Sequence, residues 1–373
     1  MHLFLVVAFA AGDVRPPAAL PCPGPAPIVI AHRGASGERP EHTLEAYRLA
    51  VEQGADFIEA DLVMTADGLL VARHENEIST TTDVAERAEF AARRTTRTVD
   101  GAPVSGWFTE DFTAAELKTL RARERLPQLR PANTRWDGQL EIPTLGEIIA
   151  LAHDLSRQYG RPIGLYPELK HPSHFSEKGL PMEAALVEAL RASGYGERSA
   201  PIFIQSFEVG VLQRLRAMTR VRLIQLIDSQ GSPFDRAGGA RPLRYSDMVT
   251  ARGLAEIATY ADGIGPAKSL VATVDEPGAR LPASRLLAEA HTAGLTVHPW
   301  TFRSENPFLP MGLRSEAGPG AHGDHEAEYR LFYALGVDGV FTDFPAHAVA
   351  ARERVKTALS LGETAQEDVA CGS

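Results

Sequence analysis

The chain is poor in cysteine. Its 373 residues include two cysteines, Cys22 and Cys371, one near each end. Neither has the close Cys or His neighbour that metal sites use, which argues against a cysteine-based zinc or iron–sulfur site. The two thiols are either unpaired or joined to one another in a bridge between the ends of the chain.

Long apolar runs and an excess of basic charge are also missing. The apolar stretch 3–11 is far shorter than the roughly 20 residues that cross a bilayer, so we expect no transmembrane segment. The net charge is −10, which argues against nucleic acid as a partner because nucleic-acid-binding proteins carry a basic footprint. A substrate that contains phosphate stays compatible with this charge, since a bound cation inverts the local field.

Residues 1–27 are predicted to be an export signal followed by a proline-rich linker. Ala8-Phe9-Ala10 has the small-x-small form of a signal cleavage site. The basic residue usual before such an apolar stretch is missing, and six prolines lie between residues 15 and 27. We therefore expect a periplasmic or secreted protein, or a cytoplasmic one if residues 1–27 are not a signal.

Residues 28–352 are predicted to form an α/β TIM (β/α)₈ barrel. Short apolar runs alternate with amphipathic stretches, which indicates parallel strands covered by helices, and about eight such units indicate closure. The predicted strands are 28–32, 57–63, 69–74, 163–169, 201–206, 222–227, 262–265, 296–300 and 338–343. The predicted helices are 43–53, 144–158, 182–193, 208–218, 251–260, 283–293 and 325–335. One strand is surplus, and since the turn at 65–68 is too short for a crossover helix, we expect the chain to double back within 57–74.

Residues 75–140 lack the alternation of apolar runs and amphipathic stretches and are predicted to be an inserted subdomain. Because this segment leaves directly from His74, at the end of a predicted strand, we expect it over the mouth of the active site. The irregular stretches 228–249 and 303–324 also follow strand ends and are expected near the same mouth. Residues 353–373 are predicted to be a C-terminal tail.

Three carboxylates at predicted strand ends form a candidate metal site. Glu59 and Asp61 stand two residues apart on one strand and therefore face the same side, and Glu168 stands on the next barrel strand. Converging carboxylates repel one another unless they are protonated or bridged by a cation. An all-oxygen set selects Ca²⁺ or Mg²⁺ over Zn²⁺. The alternative is that each acid pairs with an arginine or lysine at the surface.

Two histidines and two basic residues complete the candidate site. His32 and His74 each end a predicted strand beside the acidic cluster, where a pair of histidines can take one proton and give another during cleavage of a phosphodiester. Arg33 and Lys170 are candidates for binding phosphate, although each can instead offset the nearby carboxylates.

Two aromatic residues fall at further strand ends. Phe207 and Trp300 are candidates for an apolar wall of the substrate site, where packing in the core is the alternative. Asp343 is a candidate for orienting a neighbouring basic group or for capping the last turn, and His42 is interpreted as a structural hydrogen-bonding residue.

These residues lie in motifs that together resemble those of the glycerophosphodiester phosphodiesterase family, most closely its longer, exported bacterial type. The matches run in order from about residue 28 to residue 345. They are Ala31-His32-Arg33-Gly34-Ala35, Pro40-Glu41-His42-Thr43-Leu44-Glu45-Ala46, Ile58-Glu59-Ala60-Asp61-Leu62, Pro167-Glu168-Leu169-Lys170, Tyr260 to Pro266, Val297 to Thr301 and Gly339 to Pro345.

The resemblance implies metal-dependent hydrolysis of a small glycerophosphodiester to sn-glycerol 3-phosphate and an alcohol such as choline or ethanolamine. It implies a divalent cation, Ca²⁺ ahead of Mg²⁺, and attack by a glycerol hydroxyl of the substrate itself. The implied roles are metal ligation by Glu59, Asp61 and Glu168, acid/base catalysis by His32 and His74, and phosphate binding by Arg33 and Lys170.

Two other functions stay open at this point. One is a phosphodiesterase of the lysophospholipase D type on the same scaffold, which an exposed apolar rim around 75–140 would favour. The other is a surface or binding protein that keeps the fold without turnover, against which the full set of His and carboxylate residues argues. Many family members have His-Asp where this chain has His74-Glu75, so the role of that aspartate does not carry over to this chain. The segment 75–140 is distinctive in sequence, so the headgroup preference does not carry over either, and the sequence leaves the oligomeric state undetermined.

Overall fold

The computed structural model describes residues 26–272 and 285–363. The predicted export signal, most of the linker, Cys22 and Cys371 lie outside the described residues. Among the described residues, no helix is both long enough and apolar enough to cross a bilayer.

Eight parallel strands form a nearly closed barrel. Its strands are β1 (Ile28–Ala31), β2 (Phe57–Met64), β6 (Gly164–Leu169), β7 (Phe203–Ser206), β8 (Arg222–Ile227), β9 (Gly263–Pro266), β10 (Thr296–Val297) and β11 (Gly339–Thr342). Their order around the barrel is β10-β9-β8-β7-β6-β2-β1-β11. The segment that follows β10 is joined to β11 by backbone hydrogen bonds such as Phe302 N to Phe341 O, at 2.8 Å. The predicted TIM barrel is therefore confirmed.

The surplus strand is β3 (Leu70–Ala72), which pairs antiparallel with β2. The chain thus doubles back after Met64, as the short turn at 65–68 predicts. Thr65 and Asp67 stabilise this turn through a side-chain hydrogen bond of 2.6 Å. Because of the reversal, the residues that follow β3, beginning with Arg73 and His74, return towards the carboxyl end of the barrel.

Helices cover the outside of the barrel, and all seven predicted helices are present with small shifts at their ends. Thr43 caps α1 by accepting a hydrogen bond from Ala46 N at 3.2 Å. The helices are α1 (Leu44–Glu52), α2 (Ala114–Leu117), α3 (Leu145–Tyr159), α4 (Pro172–Glu177), α5 (Met182–Ala192), α6 (Val209–Met218), α7 (Tyr245–Met248), α8 (Ala251–Ile257), α9 (Lys268–Val271), α10 (Arg285–Thr292), α11 (His325–Leu335) and α12 (Pro345–Glu363).

The alternation of side chains along each strand separates two cores. On β2, Ile58 and Leu62 point outward and join the large core between strands and helices. The inward-pointing Phe57 packs with Tyr166 and other side chains that fill the barrel axis. Since Glu59 and Asp61 share the inward face with Phe57, the strand places both carboxylates above this apolar plug.

Residues 75–140 form an irregular segment that contains the hairpin β4 (Thr95–Val99) and β5 (Ala102–Gly106). The segment also contains the short helix α2, Ala114–Leu117. Two arginines of this segment, Arg125 and Arg130, make ion pairs with residues at the carboxyl end of the barrel. At the other end of the chain, α12 continues from residue 345 to 363, so the beginning of the segment 353–373 is helical.

Candidate active site

A cavity of about 370 Å³ opens at the carboxyl end of the barrel. All nine residues predicted to form the site line it, although they come from several different strands and the loops after them. They are His32, Arg33, Glu59, Asp61, His74, Glu168, Lys170, Phe207 and Trp300. The cavity thus collects in one place residues that are spread over more than half of the sequence.

The register of three neighbouring strands brings the acidic side chains together. Asp61 on β2 is paired with Glu168 on β6, and Glu168 is paired in turn with Gln205 on β7. One ligand atom from each of Glu59, Asp61 and Glu168 lies within 4.8 Å of the other two, and all three residues are buried. This arrangement can hold a metal ion.

Burial and mutual repulsion perturb this cluster. Burial raises the pKa of Glu59 well above its ordinary value, and the charges of Asp61 and Glu168 add to the effect. Burial and Asp61 likewise raise the pKa of Glu168 to about 8, in spite of Lys170. Burial alone would raise the pKa of Asp61 too, but its basic neighbours, Lys170 and Arg33 among them, hold it well below the ordinary value. Without a cation, the cluster therefore retains protons near neutral pH.

Gln205 supplies a further oxygen beside this cluster. Its side chain is 1% exposed, and its Oε1 atom has no hydrogen-bond partner among the described residues. A buried amide oxygen without a partner is costly unless something unseen satisfies it. An amide oxygen is also a ligand that Ca²⁺ and Mg²⁺ accept, so the donor set fits a hard divalent cation.

His42 positions the Asp61 side chain through a hydrogen bond. It is completely buried, and its Nε2 donates to Asp61 Oδ2 at 2.9 Å while its Nδ1 accepts from the Tyr47 hydroxyl at 2.8 Å. The hydrogen bond to a carboxylate fixes which ring nitrogen carries the proton. His42 is thus the hydrogen-bonding residue that the sequence interpretation expected, and it orients a candidate metal ligand.

Arg33 lies within a network of carboxylates. Its backbone N–H donates to Glu59 Oε2 at 2.6 Å, and its guanidinium contacts Glu41 at 2.8 Å and Asp61 at 3.2 Å. The residue has a φ of 59°, which turns the chain sharply after β1. Arg33 therefore offsets carboxylates and also lines the cavity.

His32 is tied to the last strand of the barrel. Its Nδ1 lies 2.6 Å from Asp343 Oδ1, and 9% of the residue is exposed. The Asp343 carboxylate also accepts from Arg130 and Arg303, at 2.6 and 2.8 Å. Burial alone would raise the pKa of Asp343, but the two arginines keep it well below its ordinary value, so this aspartate stays ionised and accepts the Nδ1 proton of His32.

The other histidine is more open. The side chain of His74 is 29% exposed, and it lies between Glu75, which accepts from Nδ1 at 2.5 Å, and Lys170, whose Nζ is 3.3 Å from Nε2. Burial and the charges of Arg33 and Lys170 lower the pKa of His74. Since an ammonium group can only donate, the free site holds His74 neutral, with a lone pair on Nε2.

Two aromatic rings form an apolar wall of the same cavity. The rings of Phe207 and Trp300 meet edge to face with centroids 5.7 Å apart, and Trp300 Nε1 donates to Gly265 O at 2.7 Å. The Lys170 ammonium lies 5.7 Å from the centroid of Phe207. The wall therefore carries a positive charge at its edge, and Lys170 also pairs with Glu168 at 3.0 Å.

Sequence reasoning missed several residues of the site. Gln205, Asp228 and Arg303 line the cavity, and Arg125 joins Glu41 to Glu75 through hydrogen bonds as short as 2.6 Å. No motif marks these residues. The only available signal was their position at the end of a predicted strand, for Gln205, just beyond one, for Asp228 and Arg303, or within 75–140, for Arg125.

Comparison with known proteins extends these observations. Residues 32–347 match the glycerophosphoryl diester phosphodiesterase family. A glycerophosphodiester phosphodiesterase of Arabidopsis thaliana is 37% identical over 331 residues, which is 85% of this chain and 84% of the relative. A glycerophosphodiester phosphodiesterase of Haemophilus influenzae is 30% identical over 338 residues, which is 85% of this chain and 87% of the relative.

Solved structures show the same fold. A glycerophosphoryl diester phosphodiesterase from Silicibacter pomeroyi aligns with a TM-score of 0.62 at 23% identity, over 89% of this chain and 95% of that one. A phosphodiesterase from Oleispira antarctica, solved in complex with the product sn-glycerol-3-phosphate, aligns with a TM-score of 0.56 at 23% identity, over 88% and 97%.

Proposed function

The chain belongs to the glycerophosphoryl diester phosphodiesterase family, and we propose that it cleaves glycerophosphodiesters with a bound divalent cation and with His32 and His74 as the acid/base pair. The products are sn-glycerol 3-phosphate and an alcohol. The observation that carries the proposal is the convergence of both histidines with three buried carboxylates in one cavity. The product bound to the Oleispira antarctica relative supports the identity of the phosphate product.

Glu59, Asp61 and Glu168 would hold the cation, with Gln205 Oε1 beside them. The cation would neutralise charge on the non-bridging phosphate oxygens. Because the donors are all oxygen atoms, the candidates are Ca²⁺ and Mg²⁺, and the family resemblance puts Ca²⁺ first. Burial and the mutual repulsion of these carboxylates raise the pKa of Glu59 well above its ordinary value and that of Glu168 to about 8, and a cation would offset this repulsion.

The two histidines divide the proton transfers between them. One accepts the proton of the attacking hydroxyl, and the other donates a proton to the leaving alcohol oxygen. Asp343 favours a proton on Nδ1 of His32 and also stabilises its imidazolium form, and Glu75 does the same for His74. Both rings can therefore present Nε2 to the reacting atoms.

Arg33 and Lys170 would face the phosphate. In the free site they pair with carboxylates, and their charges lower the pKa of His74. A bound phosphodiester carries a negative charge that offsets the charges of Arg33 and Lys170. Substrate binding therefore raises the pKa of His74, which favours proton transfer by the two histidines.

The rival lipid substrate finds no support in the apolar surface. Among the described residues, the large exposed hydrophobic side chains are Leu69, Tyr159, Phe234 and Met311. None of these belongs to 75–140, where an apolar rim around the mouth would be expected for a lysophospholipase D. Phe234 lies beside Gly101 of that segment, but a single ring does not make a continuous apolar rim. A small soluble diester fits this mouth better.

The test measures release of sn-glycerol 3-phosphate from glycerophosphocholine by the untagged full chain. We expect activity that EDTA removes and that Ca²⁺ or Mg²⁺ restores, with losses of about 10²-fold or more for His32→Ala and His74→Ala. A matched control is His153→Gln, a histidine that stacks on Tyr195 away from the cavity. Full activity of His32→Ala would refute the histidine assignment, and activity unchanged by EDTA would refute the metal assignment.

The metal ligands need a separate measurement. Glu168→Gln should weaken Ca²⁺ binding, as followed by calorimetry, whereas Glu188→Gln on the exposed face of α5 should not. Equal Ca²⁺ affinity in the two variants would contradict the assignment. Parallel assays with lysophosphatidylcholine as substrate would identify the lipid-specific alternative directly.

A further inference from the structure

Three histidines form a second cluster outside the cavity. His322, His325 and His347 each offer one ring nitrogen, and these three nitrogens lie within 4.8 Å of one another. His322 lies in the loop before α11, His325 is the first residue of α11, and His347 lies in the first turn of α12. We propose that these histidines form a binding site for a transition-metal ion of the Zn²⁺, Ni²⁺ or Cu²⁺ class.

Hydrogen bonds prepare two of the rings as ligands. His325 Nδ1 lies 3.0 Å from Gly323 O, and His347 Nδ1 lies 2.8 Å from Ser304 Oγ. A carbonyl oxygen accepts only, so the proton of neutral His325 is on Nδ1 and its Nε2 carries a lone pair. Metal-ligating histidines are typically oriented in this way, by a hydrogen bond from the nitrogen that does not bind the metal.

The spacing is close to what a metal requires. Zn–N bonds of about 2.0–2.1 Å in a tetrahedral site put ligand nitrogens roughly 3.4 Å apart, so the nitrogens must approach by at most about 1.4 Å. The ring centroids are separated by 4.1 Å for His325 and His347 and by 5.6–5.9 Å for the pairs with His322. The rings of His325 and His347 are stacked with an interplanar angle of 22°, so one of these two rings must also turn about its side-chain torsions before both lone pairs point at one ion. His322 is exposed and can rotate towards them.

The donor set distinguishes this site from the carboxylate cluster. Three imidazole nitrogens suit Zn²⁺, Ni²⁺ and Cu²⁺, whereas Ca²⁺ and Mg²⁺ prefer oxygen. Because His322 is exposed, the fourth coordination position would be filled by water. The two sites should therefore select different ions from the same solution.

Binding would join three segments of the protein. His322 pairs with Glu305 in an antiparallel bridge, and Glu305 holds Arg130 at 2.6 Å. His347 is bonded to Ser304, the neighbour of Glu305. An ion at the cluster would thus fasten the loop 303–324 to the first turns of α11 and α12, beside the network that contains Arg130.

The experiment is a Zn²⁺ titration of the untagged full chain by calorimetry, since a histidine tag would bind the same ion. Excess Ca²⁺ is present to occupy the carboxylate cluster. We expect one Zn²⁺ per chain at the histidine cluster, with affinity reduced at least about 10-fold in His322→Gln and in His325→Gln. The matched control His153→Gln should bind Zn²⁺ as the parent does.

Thermal unfolding provides a second measurement. Saturating Zn²⁺ should raise the Tm of the parent by a few degrees, because a ligand that binds the folded state stabilises it, and should raise that of His322→Gln less. His322 is exposed, so this variant tests the site even if a change at His347, which stacks on Phe344, impairs folding. Equal Zn²⁺ affinity and equal Tm shifts in parent and His322→Gln would show that the histidines only pack together and would overturn the proposal.

Discussion

The hydrogen bond between His32 and Asp343 makes a sharp prediction for Asp343→Asn. In the native site, one carboxylate oxygen accepts from His32, and the other accepts from Arg130 and Arg303. An asparagine must turn its NH₂ group towards one of these two sides. If the NH₂ group faced the arginines, two charge-assisted hydrogen bonds would be lost. The NH₂ group should therefore face His32, and Nδ1 of His32 must then accept a hydrogen bond from it.

The consequence is a change of tautomer at His32. The ring proton moves to Nε2, the nitrogen that Asp343 leaves available for chemistry, and the neutral amide no longer stabilises an imidazolium. Either role of the histidine is therefore impaired, and we expect kcat to fall about 10²–10⁴-fold, the usual contribution of a positioned acid or base. Since the variant also removes the negative charge that the buried Arg130 and the partly buried Arg303 share, we expect a loss of about 3 kcal/mol of unfolding free energy.

Two measurements separate the chemical effect from the structural one. Nitrogen NMR of the imidazole reports which ring nitrogen of His32 is protonated, and kcat is measured at a temperature where the variant is folded. The matched control is Asp338→Asn, at the opposite end of β11, where Asp338 accepts from Val297 N at 2.7 Å. If Asp343→Asn kept kcat within about threefold of the parent, with the proton still on Nδ1, the tautomer argument would be wrong.

Two further predictions concern pH and the segment 75–140. Burial lowers the pKa of His298, beside Tyr166 in the barrel axis, to about 4. The unfolded chain therefore binds more protons than the folded chain below pH 6.5, so the free energy of unfolding falls as the pH drops from 6.5 to 4. His298→Asn should recover up to about 3 kcal/mol of that loss, as measured by urea unfolding. An unchanged slope of stability against pH in this variant would contradict the assignment. Arg125→Lys loses the bidentate contacts that join Glu41 to Glu75 and should lower the free energy of unfolding by about 2 kcal/mol. If the variant were as stable as the parent in the same urea assay, the contacts of Arg125 with Glu41 and Glu75 would contribute nothing to stability.

The strand-end residues could be predicted from the sequence because the barrel has a simple rule. Parallel strands all end at the same face, and side chains two residues apart share a side. Those two facts place Glu59, Asp61 and Glu168 near one another without knowledge of the register. The register then adds what periodicity cannot: the pairing of Asp61 with Glu168, and of Glu168 with Gln205.

The arginines that the segment 75–140 contributes beside the site could not be predicted in the same way. Arg125 reaches Glu41 across 84 positions of sequence, and Arg130 reaches Asp343 across 213. Both belong to irregular stretches, where turns and short 3₁₀ helices leave no hydrophobic period to follow. A prediction of their contacts requires the path of the segment 75–140, which is determined by packing and ion pairs and not by local pattern.

The same arginines take part in a similar arrangement at each of the two candidate catalytic histidines. Each candidate catalytic histidine donates to a carboxylate, and each carboxylate is held by an arginine of the segment 75–140. The two arrangements are His32–Asp343–Arg130 and His74–Glu75–Arg125. A change in this segment can therefore alter proton transfer without any contact with the substrate.

Solvent exposure distinguishes these two arrangements. The side chains of Asp343 and Arg130 are 2% and 6% exposed, whereas those of Glu75 and Arg125 are 37% and 24% exposed. Water screens the second set of charges and weakens their hold. His32 is therefore the rigid member of the pair. His74 belongs to the more hydrated arrangement, so its charge state and position can change when the substrate enters and when the alcohol leaves.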